Sequence, residues 1–268
     1  MYAHIFLVSC ELIVVTVVET VVITSTVTPG QGASINSVPE PTPSPSPGPQ
    51  PPMNVCDAVE VDFTKGQKLP SAFKIDYCPQ NVVYAENSLQ LVLSPQCGTT
   101  VSYKFPRKFG KISARMRFAP GSGAVSALIF AGPDPADEID IEFVGKDSAT
   151  IQSMYFVKGQ RIDQLAQFHT PAAAQQQQQQ ADLSLAFHDY AIELLPDRIN
   201  WLVDGSVVRT LTKDPADTAN AKFPIDAASF VRFGVWDGSS VSSWAGVADY
   251  SSGNKIAYIQ NLKFTPYC

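Results

Sequence analysis

From Val55 to Cys268 the chain is written in short runs where apolar and polar residues alternate, such as Leu89, Leu91 and Leu93 in SLQLVLS, and Tyr190, Ile192 and Leu194 in DYAIELL. Period two is the signature of half-buried strands. Similar runs recur at KISARMRF, AVSALIF, EIDIEFV, TIQSMYFV, INWLVD, SVVRTL, SFVRFGVW and IAYIQNLKF, punctuated by Gly, Pro, Asp or Ser. More than eight short strands with no sustained helical period predict an all-β domain, a sandwich or jelly roll, over residues 55–268.

The first 54 residues obey different rules. Nine prolines fall between Pro29 and Pro52, mostly in PEPTPSPSPGPQPP, a composition that favours extended polyproline II and builds no core. Residues 29–54 therefore read as a linker, either a bare spacer or an O-glycosylated stalk. Residues 1–28 form an apolar Thr/Val-rich leader interrupted by Glu11 and Glu19. Neither uninterrupted stretch reaches the ~20 residues of a spanning helix, and no Lys or Arg marks a signal-peptide n-region. A signal, a wall-protein stalk, an anchor and a misassigned start all stay open. Ala172 to Ala181, AAAQQQQQQA, is expected on the surface without chemistry.

Composition narrows the partners. Among 268 residues, 45% are hydrophobic, ample for a core, and Lys+Arg 19 against Asp+Glu 25 leaves a net charge of -6. No basic cluster exists to meet nucleic acid or an anionic membrane, and no glycine-rich loop suggests a nucleotide. Cys56, Cys78, Cys97 and Cys268 form an even set whose wide spacing suits disulfides in an oxidising compartment better than zinc. Three pairings are open; at least one long-range bond is expected. A monomer is the expected state.

The chemistry concentrates in Asp137-Glu138-Ile139-Asp140-Ile141-Glu142-Phe143. On a strand, Glu138, Asp140 and Glu142 share one face and Ile139, Ile141 and Phe143 the other. Such a row repels itself and raises its own pKa values. A solvated edge strand or a calcium site would also use aligned acids. A glycosidase supplies a further reason. Retaining enzymes hold two carboxyls ~5 to 5.5 Å apart, and glutamates at i and i+4 on a concave face can lean toward that separation.

The run DEIDIEFVG resembles the E-I-D-x-E signature of glycoside hydrolase family 16, and its flanks, FGKISARMRFAPGSGAVSALIF, FHDYAIELLPDRINWLVDGSVVRTL, GVWDGSS and SSWAGVADY, are similar to the fungal Crh-type chitin-glucan transglycosylases. The resemblance implies a concanavalin-like jelly roll with a concave carbohydrate-binding face. It implies Glu138 as nucleophile, Glu142 as general acid/base and Asp140 as the assisting residue, an order that spacing cannot supply. It implies a retaining transglycosylase working on chitin and β-glucan in the fungal cell wall, secreted and without a cofactor; a hydrolytic endo-β-1,3(4)-glucanase and a non-catalytic carbohydrate-binding sandwich are the alternatives.

Aromatic platforms and polar neighbours for sugars are expected at Trp236 and Trp244, which look like family cleft positions, and at Gln152 and Tyr155 on the strand after the acids. Phe156 and Trp201 are expected in the core, and His188 in a structural hydrogen bond. Arg115 and Arg117 fit either an exposed face or the cleft. Departures from the family pattern are WAGV for WAGG, Leu194 for a Trp, and the glutamine insert. The chain ends at TPYC without a lipid-anchor signal, and no N-x-[ST] sequon occurs.

Overall fold

Alternation along the central runs is resolved in the computed structural model as strands whose apolar sides meet between two sheets. It describes residues 56–106, 108–132, 137–161, 165–171, 182–219, 221–224 and 230–268; the leader, the linker and the glutamine insert lie outside the described residues. The first sheet contains β1 (Val59–Asp62), β3 (Val82–Ala85), β4 (Ser88–Leu93), β6 (Gly110–Arg117), β12 (His188–Leu194), β13 (Arg198–Val203), β14 (Ser206–Thr212) and β16 (Lys255–Pro266). They run in the order β14-β13-β12-β6-β16-β4-β3, with β1 on β16. The second contains β2 (Phe73–Tyr77), β5 (Thr99–Tyr103), β7 (Ala124–Ala131), β8 (Glu138–Val144), β9 (Ile151–Val157), β10 (Gln160–Arg161), β11 (Gln167–His169) and β15 (Phe230–Asp237). Its order is β10-β9-β8-β7-β15-β5-β2, with β11 on β9. Every pairing is antiparallel, the sandwich that the sequence pattern predicts.

The core is filled by the odd-numbered side chains of β8, Ile139, Ile141 and Phe143, and by Ile112, Ile192, Trp201 and Ile259 from the facing sheet, all fully buried. Burying each such side chain stabilises the fold by ~1.5–3 kcal/mol. Phe143 stacks on Phe118 at 4.9 Å between centroids. Trp201 packs between the sheets as expected, and its indole Nε1–H donates to the backbone carbonyl of Asp140 at 2.9 Å, which ties the first sheet to the acid strand.

The cysteines form Cys56–Cys268 and Cys78–Cys97, and the long-range bond joins residues 212 apart. It locks the terminal pairing in which Val59 faces Phe264. Closing so long a loop restricts the unfolded chain strongly. The double change Cys56→Ser and Cys268→Ser is therefore expected to lower unfolding free energy by about 2–5 kcal/mol, measured by denaturant titration, whereas an unchanged midpoint would show that strand pairing alone secures the ends.

Candidate active site

Residues directly opposite one another in antiparallel strands share a face, so the register maps the floor around the acids. Glu138 lies opposite Ala131 on β7 and Phe156 on β9, Asp140 opposite Ile129 and Met154, and Glu142 opposite Ala127 and Gln152. Beyond β7 the same face continues through Arg232, Gly234 and Trp236 of β15. With Ile139, Ile141 and Phe143 buried in the core, the three acids project from the outer face of a central strand, which excludes a solvated edge strand.

Burial pushes all three carboxyls up. It is the largest cause for Asp140, whose carboxyl is held well above the usual range with the charges of Glu138 and Glu142 adding to the effect. For Glu142, burial and then the Glu138 charge raise the value from 4.5 to about 8. Glu138 is also raised by burial, but a hydrogen bond from Asp140 and the guanidinium charges of Arg232 and Arg161 oppose the rise. Glu142 thus favours its protonated form near neutrality, and Glu138 is the member of the row on which hydrogen bonding and cationic charge work against burial.

Gln152 connects the acids to the tryptophans. Its Nε2 donates to Glu142 Oε2 at 3.4 Å, and its Oε1 accepts from Trp244 Nε1 at 2.9 Å. Trp244 sits on the short helix α1 (Ser242–Ala245) and stacks on Trp236 at 5.8 Å and 28°. Gly246 ends that helix at φ +79, where an added Cβ would lie 2.1 Å from Ser122 Oγ, so a glycine is needed to seat Trp244. The WAGV departure falls one residue later, at exposed Val247, and leaves this contact intact. An open pocket of about 220 Å³ follows, lined by Val144, Lys146, Thr150, Gln152, Phe168 and Trp244 among others. Aromatic walls with convergent amide, hydroxyl and ammonium groups suit a saccharide. Among the described residues no group of three His, Cys, Asp or Glu side chains is arranged to hold a metal ion.

Gln152, Trp236 and Trp244 are thus brought to the acids; Tyr155 is not. Tyr155 pairs with Ile139, is 5% exposed, and faces the core with the Arg209 guanidinium 5.3 Å from its ring. The expectation that it binds sugar is corrected by strand parity. Phe156, expected in the core, is instead the aromatic on the acid face, half-buried, with Arg161 6.0 Å from its ring. Arg115 and Arg117 lie on the outer face of the other sheet, the first paired with Asp189 at 2.9 Å and the second over Tyr258 at 4.1 Å. His188 contacts Asp204 at 2.8 Å, the structural role expected.

Sequence reasoning missed Arg161, Phe168 and Arg232. Arg232 was within reach of it, because the even-numbered positions that put Trp236 on this face include 232. Phe168 belongs to the three-residue β11, too short to show a period.

Residues 69–253 match the family described as Glycosyl hydrolases family 16. Crh-like protein 4 of Botryotinia fuckeliana is 33% identical over 218 residues, 78% of this chain and 54% of the relative. Crh-like protein 5 of Aspergillus fumigatus is 31% identical over 213 residues, covering 75% and 50%. The chain thus spans about half the length of the curated relatives it matches. Among solved structures, that titled Apo Crh5 transglycosylase superposes with a TM-score of 0.66 at 26% identity, over 79% of this chain and 85% of that one. A Bacillus licheniformis beta-glucanase shares the fold, with TM-score 0.66 at 19% identity over 80% of this chain and 100% of its own. With the match covering more than half of the chain, this protein is a member of Glycosyl hydrolases family 16.

Proposed function

We propose that residues 55–268 form an extracellular retaining transglycosylase that cleaves a β-1,4-linked chitin or β-glucan donor and passes it to a chitin or β-glucan acceptor of the fungal cell wall. One observation carries the reading: Glu138, Asp140 and Glu142 stand in one row on the open face of a central strand, with Gln152 opposite Glu142 donating to it at 3.4 Å and the stacked Trp236 and Trp244 beside them. Two glutamates on one face beside aromatic platforms are what a double displacement on a sugar chain needs. The chain's similarity to Crh-like proteins and to a structure titled Crh5 transglycosylase in complex with NAG, 27% identical, supports the substrate class. Two disulfides suit an oxidising, extracellular setting.

In the first step a Glu138 oxygen attacks the anomeric carbon and forms a glycosyl ester, while the scissile C–O bond breaks and its oxygen takes the proton of Glu142. In the second, an acceptor hydroxyl gives its proton to the now anionic Glu142 as its oxygen attacks the same carbon, and Glu138 leaves as a carboxylate. Gln152 holds Glu142 from the side of Trp244, and the stacked Trp236 and Trp244 offer apolar faces to the sugars.

Incubation of the protein with chitin oligosaccharides and a labelled β-1,3-glucan acceptor is expected to yield labelled hybrids longer than the acceptor, read by mass spectrometry. Shortened products alone would make the protein a hydrolase, and unchanged oligosaccharides would leave a binding module.

A further inference from the structure

The floor of the acid face reaches beyond the tryptophans. From Glu142 the row crosses Ala127 on β7, Gly234 on β15 and Thr100 on β5, and it ends at Tyr77 on the edge strand β2. Four strand spacings, ~19 Å of backbone, separate Tyr77 from Glu142. The row between them is low. Ala127 offers only a methyl group, and Gly234 admits no side chain, because an added Cβ would lie 2.5 Å from the Thr99 carbonyl oxygen. A regular strand would not turn Tyr77 this way. Ile75 lies opposite the fully buried Val101, and residue 77 shares the parity of residue 75. The register of β2 shifts between Ile75 and Tyr77, so a bulge takes up Asp76 and sets Tyr77 opposite Thr100, on the side of the acids. Bulges of this kind re-aim a side chain. The re-aimed residue is 57% exposed, yet its backbone is fixed: its carbonyl accepts from Thr99 Oγ1 at 3.0 Å, and the next residue is held in the Cys78–Cys97 bond. Polar groups stand beside it, since Lys74 pairs with Asp76 at 2.9 Å and Ser102 donates to Asp76. A lone exposed aromatic needs no explanation, but one turned outward by a bulge and aligned with Glu142 does. At the other end of the same row Phe168, opposite Gln152, is 60% exposed.

We propose that Tyr77 is a platform for a remote sugar of the bound glycan, several units from the one that Glu138 attacks, and that it makes the protein favour long chains over short ones. Its ring gives a pyranose a flat apolar face, while Lys74 and Asp76 lie within reach of the hydroxyls around that sugar. Trp236, two residues from Gly234 on β15, occupies the ground between Tyr77 and the acids. A chain laid across the strands therefore meets Trp236 first and Tyr77 two strands later. A short oligosaccharide fills the site at the acids without touching Tyr77. That the glycan is chitin or β-glucan rests on the function proposed above; that the cleft extends to Tyr77 rests on the strand register.

The test titrates the full chain, in a Glu138→Gln background that prevents turnover, with chitin oligosaccharides and with β-1,3-glucan oligosaccharides of two to six sugars, read by calorimetry. Tyr77→Ala and Tyr77→Phe are added to that background. Affinity is expected to rise with length in the parent, and Tyr77→Ala to weaken the longest chains by about 3–10-fold while two-sugar chains bind as before. Tyr77→Phe keeps the ring and is expected to stay near the parent, with the thermal midpoints of all three alike because the ring is exposed. A loss equal at every length would mean that Tyr77 acts through the fold, and no loss at any length would mean that its ring meets no sugar; either overturns this inference alone. A parent that binds neither series overturns the function proposed above and this inference with it. A length-dependent loss in a protein whose wild type transfers no sugar supports the platform and overturns the enzymatic reading instead.

Discussion

Glu138→Gln is expected to lower the rate of glycosyl transfer by about 10⁴-fold or more, the scale of loss when an enzyme's nucleophile is removed. The amide keeps the shape of the carboxyl and its place opposite Ala131 and Phe156, so the fold has no reason to loosen. Burial works against charge at this position, and removing an ionisable group from a repelling row should leave the thermal midpoint unchanged or higher. The chemistry has no such tolerance, because an amide cannot form the glycosyl ester on which retention depends. Glu138→Ala adds a second reading. The space vacated by the carboxylate admits a small anion, and with azide and an activated donor a glycosyl azide of inverted configuration is expected, since one displacement replaces two. Activity within about tenfold of wild type in Glu138→Gln, where a true nucleophile costs several orders of magnitude, would move the nucleophile elsewhere.

How much of this was legible in the sequence depends on length and parity. Strands that are long, β6, β8, β12 and β16, repeat the two-residue period often enough to be seen. The strands that escaped are short and carried by neighbours: β1 is the four residues VEVD held on β16, and β3 is VVYA, mostly exposed at a sheet edge. β11 has three residues. The acid row was legible because its alternation is perfect over the six residues from Glu138 to Phe143. The wrong assignment of Tyr155 was avoidable, since Gln152 and Tyr155 are three apart and a regular strand cannot show both on one face. Which parity faces the acids was not avoidable in the same way. It depends on the loop between β8 and β9, which brings Gln152 opposite Glu142; a loop one residue longer or shorter would have turned Tyr155 outward. Disulfide pairing was likewise invisible, because it records which strand ends meet in space.

Glu142→Ala is expected to lose transfer from oligosaccharide donors by about 10²–10⁴-fold, the usual contribution of a general acid, but to retain the first step with donors whose leaving group needs no proton. That contrast separates it from Glu138. Once an aryl glycoside has loaded Glu138, azide needs no base to attack the ester, and the product keeps the configuration of the donor. Retained azide product from Glu142→Ala beside inverted product from Glu138→Ala would fix the order of the two glutamates; the reverse pattern would exchange their roles. The same residue predicts how pH acts. Its folded-state value of about 8 lies above its ordinary 4.5, so across that interval the folded protein holds a proton that the unfolded chain has released. Its contribution to stability is therefore fully present below about pH 4.5 and is lost as pH rises through about 8. Glu142→Gln, which cannot ionise, is expected to raise the thermal midpoint by about 3–10 °C at pH 8 and by much less at pH 4.5. Wild-type transfer should fall above about pH 8 as the acid form disappears. A thermal gain that is equal at both pH values would mean that packing rather than charge is responsible, and an alkaline limb that persists in Glu142→Gln would belong to another group.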